Sequence, residues 1–436
     1  MRRTPVRASR WRYNQLLLVV LLSASPAMAD PGQPYSVPAP AGTSDGSSGT
    51  IVKVTWPDIA RLVNQHPRLA AGKFQIDAAR GGVDAAGAVP NPTLEVNVDQ
   101  GLPRAGGASR VEWGLALTMP LGWIAQRGSR IGAAEAEVDI ALAESKALRR
   151  NVLLQLRTLF WNLAYEQARV TLLEAIEAQT SALVQTVKRQ VEKGEVRPVE
   201  ATRVEIELEK VTSELESART SLSARQAGLA LWLGVLAGRT IVAVADLDAL
   251  PVAKDRDTAL AKARSTHPAL VVARATTRVI EAEVGTERMA RVPSFSITGF
   301  TTYELDRRAY GVGLAVDLPI WNWNSGRIAQ AEGKLAASRK QAEVTGLEVE
   351  ATVLDTQAAC QASVQTATRF RNNVVPRSES AASTMEKTYQ LGEASLLEVI
   401  DARRTLLDSR RLYLSALVQA QIDCSRLGVL IGEEPK

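Results

Sequence analysis

Residues 132–193 read GAAEAEVDIALAESKALRRNVLLQLRTLFWNLAYEQARVTLLEAIEAQTSALVQTVKRQVEK, a stretch with no proline and no cluster of turn residues. Apolar side chains recur near a spacing of 3.5 at Val152, Leu156, Leu159, Leu163, Val170, Leu173, Val184, Val187 and Val191, and the pattern lapses at Glu166, Glu177 and Thr180. That period belongs to a helix with a seam along one side. At 1.5 Å per residue the helix would be about 90 Å long, several times the width of a globular domain. It has to be a strut or a wall in something larger. A second stretch of this kind runs from Arg327 to Gln390, interrupted only by Pro376, and shorter helices follow from about Val199 to Trp232 and from about Leu396 to Leu430. Four long helices with Ala, Glu, Arg and Leu on heptad-like faces describe a coiled-coil bundle.

Working outward from these helices, the chain repeats itself. Asn64-Gln65-His66-Pro67-Arg68-Leu69 answers to Ser265-Thr266-His267-Pro268-Ala269-Leu270, and Pro92-Thr93-Leu94-Glu95-Val96 answers to Pro293-Ser294-Phe295-Ser296-Ile297. Met119-Pro120-Leu121 answers to Leu318-Pro319-Ile320, Arg130-Ile131 to Arg327-Ile328, and Lys193-Gly194-Glu195 to Leu391-Gly392-Glu393. The order is the same in both halves, so one unit (helix, two strands, long helix, turn, second helix) occurs twice. We place the first unit at residues 51–250 and the second at 251–436.

The strands alternate with a period of two. Leu94, Val96 and Val98 oppose Glu95, Asn97 and Asp99; Val111, Trp113, Leu115 and Leu117 oppose Glu112, Gly114 and Ala116; Tyr310, Val312, Leu314 and Val316 oppose Gly311, Gly313, Ala315 and Asp317. One apolar and one small or acidic face fits strands between lipid and an aqueous lumen, at about the length a tilted spanning strand needs. Two hairpins lying on a helical core would read alike, and the length of the helices favours the spanning reading. Four strands leave two edges and cannot close a barrel of useful width, so other copies must complete it. The sequence thus describes a homo-oligomeric pore at a membrane with a long α-helical conduit leading from it.

The N-terminus fits export. Arg2, Arg3, Arg7, Arg10 and Arg12 precede the apolar run Leu16 to Leu22 and then Ala27-Met28-Ala29, the order of a cleaved signal peptide over residues 1–29. Residues 30–50, rich in Pro, Gly and Ser, read as a flexible leader. Removing the five signal arginines from a net charge of +5 leaves a neutral mature chain, so the pI near 9.2 does not point to nucleic acid. Cys360 and Cys424 lie in separate helical stretches, and their pairing stays open. Two histidines and two distant cysteines give no spaced metal cluster. No nucleophile, base and orienting group are grouped, and no phosphate loop is present, so neither an enzyme nor a cofactor is expected.

Together the twofold repeat, the strand pairs closing on Met119-Pro120-Leu121 and Leu318-Pro319-Ile320, and the helix-turn segments resemble the outer membrane efflux proteins, the TolC-like outer membrane factors. Those segments are Val191-Glu192-Lys193-Gly194-Glu195-Val196 leading to Val199-Glu200-Ala201, and Tyr389-Gln390-Leu391-Gly392-Glu393 leading to Leu397-Glu398-Val399-Ile400-Asp401-Ala402. The resemblance implies a mainly α fold with a small β part. Long antiparallel coiled-coil helices would form a periplasmic tunnel, and four strands per chain would contribute to a trimeric transmembrane β-barrel in outer membrane lipid. It also implies a homotrimer that works with a periplasmic adaptor protein and an inner-membrane pump of the resistance-nodulation-division type.

Carried residue by residue, the resemblance makes Gly194, Glu195, Gly392 and Glu393 the helix-tip turns and adaptor-docking surface. Tyr389, Glu398 and Asp401 become the periplasmic gate, and Ala394 stands where a basic gate partner is sometimes found. Glu398 and Asp401 lie three apart on one helix face, which in the plain reading is only a solvated surface. Glu95, Asp99, Glu112 and Asp317 are expected to face the lumen. His66-Pro67 and Asn91-Pro92-Thr93-Leu94-Glu95 resemble the heavy-metal cation branch, with drug or dye export as the other cargo. A secreted coiled-coil structural or adhesion protein is the alternative from a different class.

Overall fold

A computed structural model of the chain describes residues 51–101, 109–234, 239–247, 249–304 and 307–434; the signal segment 1–29 and the leader 30–50 lie outside the described residues. Helix α1 (Trp56–Leu62) follows strand β1 (Ile51–Val54), and α2 (Pro67–Gly87) leads to the hairpin β2 (Thr93–Gly101) and β3 (Arg110–Pro120). The long helix α3 (Trp123–Glu192) and its return α4 (Pro198–Leu233) complete the first repeat, with strand β4 (Thr240–Ala243) behind them. The second repeat runs α5 (Arg256–Thr266), α6 (Pro268–Met289), β5 (Ser294–Tyr303), β6 (Arg308–Asp317), α7 (Ser325–Arg369), α8 (Val375–Gln390) and α9 (Leu396–Leu430).

Helix α3 begins at Trp123, ahead of the expected Gly132, because the chain turns straight into helix after the Pro120-Leu121-Gly122 corner. There the Leu121 N–H donates to the Phe295 carbonyl at 2.7 Å and holds the strand end. Its 70 residues correspond to about 105 Å. Helices α2 and α6 both pack along its first half, with the Arg127 Nε donating to the Gly87 carbonyl at 3.2 Å and Arg278 pairing with Asp139 at 2.6 Å. Helix α4 runs back along its second half. The lapses in the apolar seam are filled by polar partners. Glu166 is buried beside Arg169, which reaches Glu214 at 3.2 Å, and Glu177 accepts from the Thr212 hydroxyl at 3.2 Å.

Pro376 does not break the second long helix. A proline inside a helix lacks an N–H and crowds the carbonyl of residue i−4. Here one π turn over Phe370–Val374 widens the backbone just before it, and the Val375 N–H reaches the Phe370 carbonyl.

Half-way along α3 a short parallel sheet pairs β1 with β4, Val52 opposite Ile241. The period reading did not find it, since four-residue strands carry too little periodicity. Its edge is capped by Gln167, whose Oε1 accepts from the Ala243 N–H at 2.8 Å while Nε2 donates to the Ala243 carbonyl at 3.2 Å. Beneath it lies the largest core, with Trp56, Ile59, Leu156, Phe160, Trp161, Leu163 and Leu229 buried. The Arg157 guanidinium stacks on Trp56 at 4.8 Å and on Trp161 at 5.4 Å, and burial lowers its pKa to about 10, so it remains charged at neutral pH.

The second repeat has its own core of Ala259, Ala263, Leu270, Val349, Val353, Leu427 and Ile431. Cys360 on α7 and Cys424 on α9 form a disulfide within it, which settles their pairing.

The four long strands form one antiparallel sheet in the order β2-β3-β5-β6, so the repeats join through β3 and β5. It stands at one end of the long helices. Among the described residues no helix is long and apolar enough to cross a membrane.

Candidate functional site

The chemistry concentrates at two places, the sheet and the two helix-turn-helix tips at the far ends of α3 and α8. In the sheet the pairing register places all four expected acids on one face. Asp99 is directly opposite Glu112, and Glu95 lies four residues from Asp99 on the same strand. Thr118, six residues after Glu112, faces Thr298, and Ser294, four residues before Thr298, faces Asp317. Even steps along strands and direct pairs across them keep the same face. Like charges opposed as Asp99 and Glu112 are repel one another unless solvent screens them.

The other face carries Leu94, Val96, Val98, Leu115, Leu117 and Leu314. It is bounded by aromatic rings, and that bounding arrangement is what sequence reasoning passed over. Away from the helices Trp113 stacks on Tyr303 at 6.0 Å with Tyr310 beside them, while Trp321 (92 % exposed) and Trp323 stand where the strands meet the helices. An apolar band between two aromatic rows is the outer surface of a membrane barrel. The signal was present in the positions of these rings relative to the strand ends.

The two tips share one backbone solution. Gly194 and Gly392 take left-handed φ values of 73° and 77°. In the first turn Gly194 N–H donates to the Val191 carbonyl and Glu195 N–H to the Gln190 carbonyl, both at 2.9 Å. In the second, Gly392 N–H donates to Tyr389 at 2.9 Å and Glu393 N–H to Thr388 at 3.0 Å. This is the Schellman closure, in which a residue without Cβ relieves the left-handed position and the last carbonyls of the helix find partners. The Glu195 and Glu393 side chains are exposed at the end of the molecule.

Behind the turns the hairpins are joined. The Tyr389 hydroxyl donates to Gln190 Oε1 at 2.9 Å across the α8–α3 boundary. Burial and the nearby Glu200 push the Tyr389 phenol up, which keeps it a donor at any ordinary pH. Leu396 and Ile400 bury against Val184, Val187 and Val204.

One turn further in, Arg404 on α9 grips Glu207 on α4 through both nitrogens of a fork, with Nε to Oε1 at 2.7 Å, and this holds the Glu207 carboxyl below its ordinary range. Arg403 pairs with Glu386 at 2.7 Å and donates to the Gln179 carbonyl at 3.3 Å. Gln190, Glu207, Arg403 and Arg404 were not singled out from the sequence. Their partners lie up to 224 residues away, and no local motif marks such contacts.

The two expected gate acids both interact with residues on their own helix. Glu398 completes a capping box: its Oε2 accepts from the Ser395 N–H at 2.7 Å and from the Ser395 hydroxyl at 2.9 Å, which lowers the pKa of its carboxyl. Asp401 is exposed, one helical turn before Arg404, and its charge bears on that guanidinium. Each of these carboxylates has local compensation. Substituting Glu398 therefore disturbs the start of α9 as well as the charge beside the helix tip.

Comparison with known proteins fits this architecture. A family model described as outer membrane efflux protein matches residues 59–235 and again 259–433, once in each repeat. The cobalt-zinc-cadmium resistance protein CzcC of Cupriavidus metallidurans is 28 % identical over 369 residues, 84 % of this chain and 86 % of that protein. The nickel-cobalt-cadmium resistance protein NccC of Alcaligenes xylosoxydans xylosoxydans is 26 % identical over 313 residues, 70 % of each. Among solved structures, CusC superposes with a TM-score of 0.73 at 18 % identity, covering 90 % of this chain and 96 % of that one. The outer membrane protein VceC of Vibrio cholerae superposes with a TM-score of 0.71 at 18 % identity, covering 87 % and 97 %. With both repeats matched and the sheet, tunnel helices and tips in place, the chain belongs to the outer membrane efflux protein family.

Proposed function

We propose that three copies of this chain form the exit channel of a tripartite efflux system, passing divalent transition-metal cations passively from a resistance-nodulation-division pump and a periplasmic adaptor to the exterior. The observation that carries this reading is the two-faced sheet, with an aromatic-bounded apolar surface for lipid and Glu95, Asp99, Glu112 and Asp317 together on the other face. Turned inward, those carboxylates lower the electrostatic cost of a cation entering the lumen. The names of CzcC and NccC favour metal ions as cargo. Residues 1–29 serve as the export signal.

In this reading the tips, about 100 Å from the sheet, form the periplasmic gate. Tyr389–Gln190 and Arg404–Glu207 tie the second hairpin to the first, Asp401 tunes Arg404, and Glu398 secures the start of α9. Gly194, Glu195, Gly392 and Glu393 form the surface offered to the adaptor.

Planar-bilayer recording of the purified protein tests the gate. Tyr389→Phe combined with Arg404→Ala should raise single-channel conductance, and Asp99→Asn with Glu112→Gln should reduce cation preference. Unchanged currents in the first variant would discard the gate assignment. Cargo is tested by deleting the gene: lost tolerance to cobalt, zinc or cadmium is expected, whereas intact metal tolerance with new sensitivity to dyes would reassign the channel to organic compounds.

A further inference from the structure

Among the described residues, the acid-bearing face of the sheet holds a single aromatic side chain, Phe300. It lies directly opposite Ala116 on β3 and Gly311 on β6, and these pairs put it on the face of Glu112 and Asp317. The alternation of β5 inverts at this point. After Phe295 and Ile297 the apolar face receives Gly299, and the large side chain falls on the other side.

The glycine across the strand gives the ring its seat. A Cβ at Gly311 would come within 2.8 Å of Phe300 Cζ, 3.1 Å of Cε1 and 3.5 Å of Cε2. With Cζ nearest and Cε1 at 3.1 Å, a point in the ring plane would stand well beyond 3.5 Å from Cε2. The Gly311 backbone is therefore under a face of the phenyl group and not beside its edge. Covering a strand glycine is one use of such a ring. It occupies one face only. The opposite face is turned away from the sheet, and Phe300 stays 39 % exposed. The diagonal neighbours Gly114 and Gly313 add no side chain to shield it.

Resting on the trimeric channel reading above, we propose that this open face is a lumenal binding site for organic cations of the quaternary ammonium class. The face of an aromatic ring carries the negative part of its quadrupole and attracts a cation placed over it. A quaternary ammonium ion has no hydrogen to donate and presents only methyl or methylene groups, which suits a phenyl surface. Hydrated metal ions are addressed instead by carboxylates. The ring does not act alone. Glu112 stands four residues along β3 from Ala116, about 13 Å away, with Asp99 opposite it, and these charges raise the concentration of any cation near Phe300. The site thus adds a second chemical class to a lumen whose acids serve metal ions.

The full-length trimer in maltoside micelles is titrated with choline, and binding is read by saturation transfer to its methyl protons. The uncharged isostere 3,3-dimethyl-1-butanol is titrated beside it. Choline should bind about threefold more weakly to Phe300→Leu, which keeps apolar bulk and loses the ring, while the isostere should not distinguish the two proteins. Fluorinated phenylalanines placed at position 300 keep the shape of the ring and drain its face. Choline affinity should fall stepwise with their fluorine content. Equal choline binding by the unsubstituted protein and Phe300→Leu overturns the proposal. So does a loss in Phe300→Leu that fluorination does not reproduce, since the ring would then offer apolar surface alone. Either outcome in a protein that sizes as a trimer and conducts in a planar bilayer leaves the channel reading intact. A protein that neither forms trimers nor conducts overturns both.

Discussion

The middle of the first repeat is packed with large rings, and the matching part of the second is packed with alanine, valine and leucine around a covalent bridge. Trp56, Phe160 and Trp161 fill the first core, with Trp232 against His66 at its margin, while Ala259, Ala263, Val349 and Val353 surround Cys360 and Cys424 in the second. The succession of hairpin, long helix and return helix is the same. A repeated backbone requires contact at equivalent places and leaves open which interaction supplies it. Aromatic side chains bury 150–250 Å² each, roughly, whereas a core of small residues buries far less, and the disulfide offsets the difference by restricting the unfolded chain.

The contrast can be broken most directly at the bridge. Replacing Cys360 and Cys424 together by serine should cost about 4 kcal/mol, the chain-entropy estimate for the 64-residue separation they close. Thermal unfolding in detergent should show an early transition for the second repeat, and an unshifted curve would remove the bridge from the account. In the first repeat Phe160→Ala should cost about 3 kcal/mol by leaving a cavity among rings that cannot close over it. Adding reductant to that variant should destabilise it further by an independent amount, since the two sites share no buried partner.

The tips sharpen the comparison on a smaller scale. Both turns close alike, yet the helices that follow start differently. Helix α9 uses the Ser395–Glu398 box, while α4 begins at Pro198 with Glu200 held by Arg197 and Arg203, each at 3.3 Å. Ser395→Ala should cost about 1 kcal/mol and fray α9 at its start, measured as faster amide exchange there. Arg197→Ala should do less, because Arg203 still holds Glu200.

The parts of this molecule that a period can encode were legible beforehand. Helix α9 is read from about Leu396 by its apolar, heptad-like face, and the strand faces follow from alternation. The Arg404–Glu207 and Tyr389–Gln190 contacts were not legible, because each depends on how two hairpins lie side by side. Glu398 illustrates the limit within a single motif. Its spacing from Ser395 signals a capping box, the reading by resemblance assigned it to the gate, and the hydrogen bonds to Ser395 add the capping role that the resemblance did not mention. Pro376 marked an irregularity but not a break, and the π turn that carries the helix past it has no signature beyond the proline itself.

The smallest expected effect tests a feature the repeats share. His66 and His267 each cap a helix by accepting through Nδ1, from Arg68 N–H and Ala269 N–H, both at 3.2 Å. Only an unprotonated Nδ1 can accept. Burial depresses both imidazoles, helped by Arg68 at the first and Arg150 at the second, while the Trp232 backbone partly offsets this at His66. The folded pKa values are therefore below the unfolded value of about 6.5, and the unfolded chain takes up protons first as pH falls. The stability they confer is complete above that value and declines as pH drops through it. The decline should be steeper for His267, since a protonated His66 keeps its Trp232 carbonyl and lies 5.8 Å from the indole, whereas His267 faces Arg150. Asparagine caps without titrating. His267→Asn should thus flatten the melting temperature against pH below about 6.5 more than His66→Asn does. Equal flattening would mean that Trp232 gives no relief to the charged ring, and that the aromatic packing of the first repeat contributes stability alone.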